Sequence, residues 1–139
     1  MVGWSWRLRF AVCALALGAA GPGAGPSLAQ PNDFPFESEL FLDARPMPGS
    51  KRIPNMDVAA NGAIALEMWC NRVEGQVVVA GDTITVMVGQ PTERPCTPEQ
   101  TQRDADLLAA LNEVTTWRRA GDAVLLIGPK TLRFKAPTH

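Results

Sequence analysis

A chain of 139 residues, 46% hydrophobic and 19% charged, has room for one domain with its own core. Thirteen basic against fourteen acidic residues give a formal net charge of −1. With no basic cluster longer than the pairs Lys51-Arg52 and Arg118-Arg119, there is no cationic stripe for nucleic acid. The single histidine is His139 and tyrosine is absent, which removes Ser-His and Cys-His catalysis in ordinary form and leaves a structural zinc short of ligands.

Taken in order, the chain opens on Arg7 and Arg9 followed by an apolar run over 10–20 that is too short to span a bilayer. Ser27-Leu28-Ala29 then supplies small residues at both positions a signal peptidase reads, so the pattern predicts a secretory signal over 1–29 with cleavage after Ala29. GPGAGP at 21–26 would break a longer helix. Val12 precedes Cys13 and most of the apolar run follows it, which does not fit an acylated lipoprotein cysteine. The expected mature product is therefore a soluble periplasmic or secreted protein without a transmembrane span. Removing Arg7 and Arg9 leaves eleven basic against fourteen acidic residues, a formal charge of −3. Removing Cys13 leaves Cys70 and Cys96, with one possible pairing in a compartment that permits disulfides. Closing that loop contributes roughly 3 to 4 kcal/mol in the chain-entropy picture.

Residues 30–38 (QPNDFPFES) are polar with two prolines and read as a flexible leader. A first strand is expected over 39–44, ended by Pro46, Pro48 and Gly49, with an irregular loop to Pro54. From Asn55 the pattern has period two. Asn61-Gly62 predicts a type I′ hairpin joining 56–60 to 63–70. In the second of these strands Ile64, Leu66, Met68 and Cys70 share the inner face, and Glu67 and Trp69 share the outer one. A turn over 71–75 leads to a strand at 76–80, and Gly81-Asp82 turns the chain into 83–88, where Ile84, Val86 and Val88 face inward.

The loop 89–95 (GQPTERP) delivers Cys96 to the one convincing helix. Thr97 suits the N-cap, Pro98 the first helical position, and Gln100 completes a capping box. Leu107, Leu108, Leu111 and Val114 form its apolar stripe, read as packing on or plugging the sheet, with a partner groove as the alternative. Strands are expected over 115–119, 123–127 and 131–135, joined by Gly121-Asp122 and by Gly128-Pro129-Lys130, with 136–139 fraying. The sum is a mainly β domain of about eight short antiparallel strands with one helix, a small barrel or strongly curved sheet whose opening the helix covers.

Trp69-Cys70-Asn71-Arg72-Val73-Glu74-Gly75 resembles the Gly-Cys-Asn motif, turn and glycine of the META domain, also called HslJ-like, of bacterial envelope proteins, with Trp69 in place of the usual glycine. The resemblance continues through Gly81-Asp82-Thr83-Ile84, through Thr92-Glu93-Arg94-Pro95-Cys96 as the family's Thr-x-x-x-Cys, through Leu107, Leu108 and Leu111, and through Leu132-Arg133-Phe134. It covers 39–135. It implies a lipocalin-like barrel in the periplasm or at the outer membrane, in a family associated with heat-shock response, novobiocin resistance and, in protozoan relatives, virulence. It implies no reaction.

The chain is poor in catalytic groups. Asp104 and Asp106 stand two apart on the helix and do not face each other, so they read as solvated surface groups. The functional expectation is a non-catalytic, cofactor-free envelope protein with a binding or structural role in stress response. Its partner would be an envelope protein, a glycan or a small apolar ligand. Its contact surface is expected at Trp69, Asn71, Thr92, Glu93 and Arg94, in the loop held by Cys96; inhibition of an envelope hydrolase is a variant of the same reading. Trp69 could equally pack against the first strand or the leader, and Asn71 is expected to bond turn backbone more than ligand. The alternative is an enzyme using Asp57, Glu67 or Glu74 in a shared pocket.

Overall fold

The strands are short and two-faced because branched apolar residues alternate with polar ones, and closing on themselves lets such strands bury one face. The computed structural model describes residues 33–137 together with Gly18, Gly21 and Gly23. Apart from those glycines, the expected signal and its cleavage point lie outside the described residues, as do the last two residues of the chain. The elements are β1 (Ser38–Leu42), β2 (Asn55–Val58), β3 (Ala63–Glu67), β4 (Arg72–Ala80), β5 (Thr83–Val88), α1 (Pro98–Asn112), β6 (Thr116–Ala120), β7 (Ala123–Ile127) and β8 (Thr131–Lys135). They form a closed antiparallel barrel in chain order, with β8 returning to β1 through Phe41↔Lys135 and Leu42↔Phe134.

The interior is filled by side chains. Leu40, Met56, Leu66, Val73, Val124, Leu126 and Phe134 are fully buried, and α1 adds Leu107 and Leu111 from its apolar stripe. The barrel is thus a packed core and not a cup. The helix begins as its sequence demands: the Gln100 N–H donates to Thr97 Oγ1 at 3.2 Å, and the Thr97 N–H donates to Gln100 Oε1 at 3.0 Å.

Several expectations are corrected. The described part of the leader is built into the domain, with Phe34 only 2% exposed and meeting Trp117 edge-on at 5.1 Å between centroids. Its polar neighbours hid this, because burial there depends on an aromatic partner 83 positions away. Ala136, expected to fray, donates its N–H to Asp122 O at 3.0 Å. The hairpin between β2 and β3 forms, but Asn61 does not take the positive φ of a type I′ turn. Gly62 alone does (φ 83), after a turn closed by Gly62 N–H to Ala59 O at 2.9 Å.

The larger correction concerns 68–75. β3 stops at Glu67, and β4 starts at Arg72 and runs through Gly75, which was expected in a turn. At Gly75 the β5 backbone comes so close that any Cβ would strike the Met87 carbonyl oxygen, so the glycine serves strand approach rather than reversal. Because β3 ends early, its alternation does not extend to Trp69, which is 6% exposed instead of outward-facing.

Candidate functional site

The early end of β3 has a local cause. The Met68 N–H donates to Asn71 O at 2.8 Å, and the three following amides turn toward one carboxylate. Asp104, on α1, accepts from Trp69 N (2.8 Å) and Cys70 N (3.2 Å) through Oδ1 and from Asn71 N (2.8 Å) through Oδ2. At 5% exposure it is the only buried charged side chain among the described residues. Three N–H donors surround it in place of a counter-cation, and those of Trp69 and Cys70 would otherwise be buried orphans. The expectation that Asp104 is a solvated surface group is therefore overturned. The signal was present: Asp104 precedes Leu107 by three and Leu111 by seven, so it lies on the apolar stripe.

The Asn71 side chain faces the opposite way. Its Oδ1 accepts the Arg94 N–H at 2.8 Å and the Thr92 hydroxyl at 3.0 Å, and its Nδ2 lies 3.3 Å from Cys96 Sγ. Thr92 is also laddered to β4, with Thr92 N–H on Arg72 O (2.9 Å) and Arg72 N–H on Thr92 Oγ1 (2.9 Å). Cys70 and Cys96 form the expected disulfide, with Cα atoms 6.0 Å apart. The loop 89–95 is thereby fixed at both ends and in its middle, beginning at Gly89 N–H on Glu74 O (2.8 Å).

The structure thus gathers Asn71, Thr92, Arg94, Cys70 and Cys96 and leaves Glu93 exposed on the same loop. It takes Trp69 away from them. Trp69, 6% exposed, lines a groove of about 430 Å³ with Leu42, Leu107 and Leu132, under the Arg103 guanidinium at 5.4 Å.

Sequence reasoning missed a cationic cluster. Arg52, Arg72 and Arg94 converge on Glu67, with Arg72 Nη1 at 3.4 Å from Oε1 and the Nη1 atoms of Arg52 and Arg94 each at 3.8 Å from Oε2. The same two Nη1 atoms stand 3.5 Å from Cys70 O. Arg72 is also shared with Glu74 at 3.5 Å. Only tertiary folding brings 52, 72 and 94 together, so no local pattern could show this.

Of the three carboxylates of the enzymatic alternative, two, Asp57 and Glu74, share one groove, and Glu67 stands apart. Asp57 and Glu74 stand either side of Ala65 in the ladder and line an open groove of about 490 Å³ with Glu37 and Glu39. Glu67 belongs to the arginine cluster instead. Among the described residues, no group of three or more His, Cys, Asp or Glu side chains is arranged to hold a metal ion, and no helix is long and apolar enough to cross a membrane.

No curated protein matches the chain. Two solved structures resemble it in fold. An NMR structure of a protein from Burkholderia xenovorans is 19% identical with a TM-score of 0.62, over 87% of this chain and 97% of that one. A second NMR structure is 17% identical with a TM-score of 0.60, over 76% of this chain and 93% of the other. The family model described as META domain matches residues 36–137, and the chain, with its paired cysteines, Asn71 clamp and helix-plugged barrel, belongs to the META domain family.

Proposed function

We propose that this protein is an exported, non-catalytic binding module of the cell envelope, acting in envelope stress response, whose recognition surface is the loop 89–95 with Asn71. The observation that carries this reading is the fixation of the loop. Hydrogen bonds at Gly89, Thr92 and Arg94 and a disulfide at Cys96 hold a segment whose Thr92, Glu93 and Arg94 are exposed. A segment ordered before binding loses little conformational entropy on binding, which is what a recognition loop needs. The filled barrel argues for a partner met at the surface, a protein or glycan, over a small apolar ligand held inside.

A rigid exposed loop is also the form in which a protein blocks an active site, so inhibition of an envelope hydrolase is the second reading. Both are tested by capture from envelope extract, with bound species identified by mass spectrometry. Wild-type protein should retain a defined partner that a T92A/E93A/R94A variant loses, while a V78S variant, at an exposed position nearer the Gly81 turn of the β4–β5 hairpin, keeps it. Equal capture by all three proteins sinks the loop as the recognition surface. The mass of the exported chain checks the other half of the reading, which expects cleavage after Ala29.

A further inference from the structure

We propose that Arg52 and Arg94, backed by Arg72 and Glu67, form a seat for a carboxylate on an acidic peptide segment of the partner. The inference deepens the reading of the loop as a recognition surface and rests on it. Charge is the first argument. Three guanidinium groups face two carboxylates, Glu67 and Glu74, and Arg72 alone is within 3.5 Å of both. The unmatched positive charge therefore falls on Arg52 and Arg94, and one unit of it suits a monoanion.

Geometry is the second. Arg52 and Arg94 are directed at the same two oxygens, Cys70 O at 3.5 Å and Glu67 Oε2 at 3.8 Å, so their Nη1 atoms lie within reach of a single bridging group. At 3.8 Å neither donates a hydrogen bond to Glu67, whose Oε2 is buried and accepts none among the described residues. Glu67 thus holds two like charges side by side electrostatically without using their N–H groups. Guanidinium forks with donors to spare match the planar, bidentate geometry of a carboxylate.

Third, the site is accessible and its base is fixed. The three arginine side chains are 43 to 45% exposed. Arg94 is tethered through its N–H to Asn71, and Cys70 through Asp104 and the disulfide. The seat therefore lies beside Thr92 and Arg94 of the loop, where a segment crossing the loop could place an acidic side chain.

The test titrates the isotope-labelled full-length exported protein with a hexaglutamate peptide, following arginine side-chain N–H and backbone amide signals by NMR, with inorganic phosphate and hexaglutamine in parallel. The expected result is saturable movement of the Arg52 and Arg94 signals with hexaglutamate and none with hexaglutamine. Arg52→Gln or Arg94→Lys should weaken it about tenfold, while Arg118→Gln, outside the cluster, leaves it unchanged. Unchanged backbone spectra elsewhere show that each variant folds. Absence of saturation, tighter binding of phosphate than of hexaglutamate, or insensitivity to Arg52→Gln overturns the proposal. Partner capture that fails with the triple loop variant but survives Arg52→Gln overturns the seat and leaves the loop reading standing, whereas failure of capture by wild type removes both.

Discussion

Two junctions between neighbouring strands of this barrel are made by opposite means. Between β3 and β4 the connection is polar: one buried carboxylate takes three amides, one amide side chain takes the loop, and a disulfide ties the connection to Cys96, just before the α1 N-cap. Between β5 and β6, where the helix interrupts the meander, the ladder shrinks to Thr83↔Thr116, and the seam is filled by Trp117 against Phe34. The Trp117 Nε1–H also donates to Gly81 O at 2.8 Å, so one side chain supplies both packing and a hydrogen bond there. Apolar packing closes the β5–β6 seam, whereas directional bonds set the geometry of the loop.

Breaking either junction should cost most. Asp104→Ala leaves three N–H groups without an acceptor, two of them buried, and is expected to destabilise the domain by about 4 kcal/mol, read from urea unfolding. A loss under about 1 kcal/mol would show that water replaces the carboxylate. Trp117→Ala tests the apolar seam and should cost about 4 kcal/mol. The two variants should differ in character, the first disturbing the amide signals of Thr92 and Arg94 and the second sparing them. Replacing both Cys70 and Cys96 by serine should cost about 3 kcal/mol, with the Asn71 bonds to Thr92 and Arg94 still formed.

The smallest effect belongs to the two surface ion pairs at the β1–β8 closure, where Asp43 meets Lys135 at 2.9 Å and Arg133 at 3.2 Å. The Lys135 ammonium, hydrogen-bonded to Asp43, holds that carboxyl below its ordinary 3.8, with Arg133 adding to the shift. A depressed pKa contributes stability that is present above the ordinary value and lost as pH falls through the folded one. A slight loss below about pH 3.8 should therefore vanish in Asp43→Asn, and an unchanged acid limb in that variant would show that the pair contributes nothing.

Much of the fold was legible because it rests on short-range patterns. The alternation of Ile64 with Leu66 and of Ile84 with Val86, the Thr97 capping box and the glycine turns at Gly81 and Gly121 each lie within a few residues of sequence. The disulfide was legible by elimination. The gathering of Asn71, Thr92 and Arg94 beside the disulfide was legible because Asn71 and Arg94 lie close to the cysteines in sequence. Legibility failed where a distant residue decided the outcome: Asp104 ended β3 and reversed Trp69, Phe34 turned a polar lead-in into core, and Arg52 completed a cluster from a proline-rich loop. In each case a single side chain outweighed the local propensity of a whole segment.

The chain-order topology also has a consequence in time. Every seam but one joins strands that follow each other in sequence, so hairpins can form as soon as both their strands are available. The exception is β1–β8, where the first strand must wait for the last. Until then β1 presents an unpaired edge, open to addition by another chain. A chain of this topology is most open to edge-to-edge association just before closure, while β1 and β8 both await their partner.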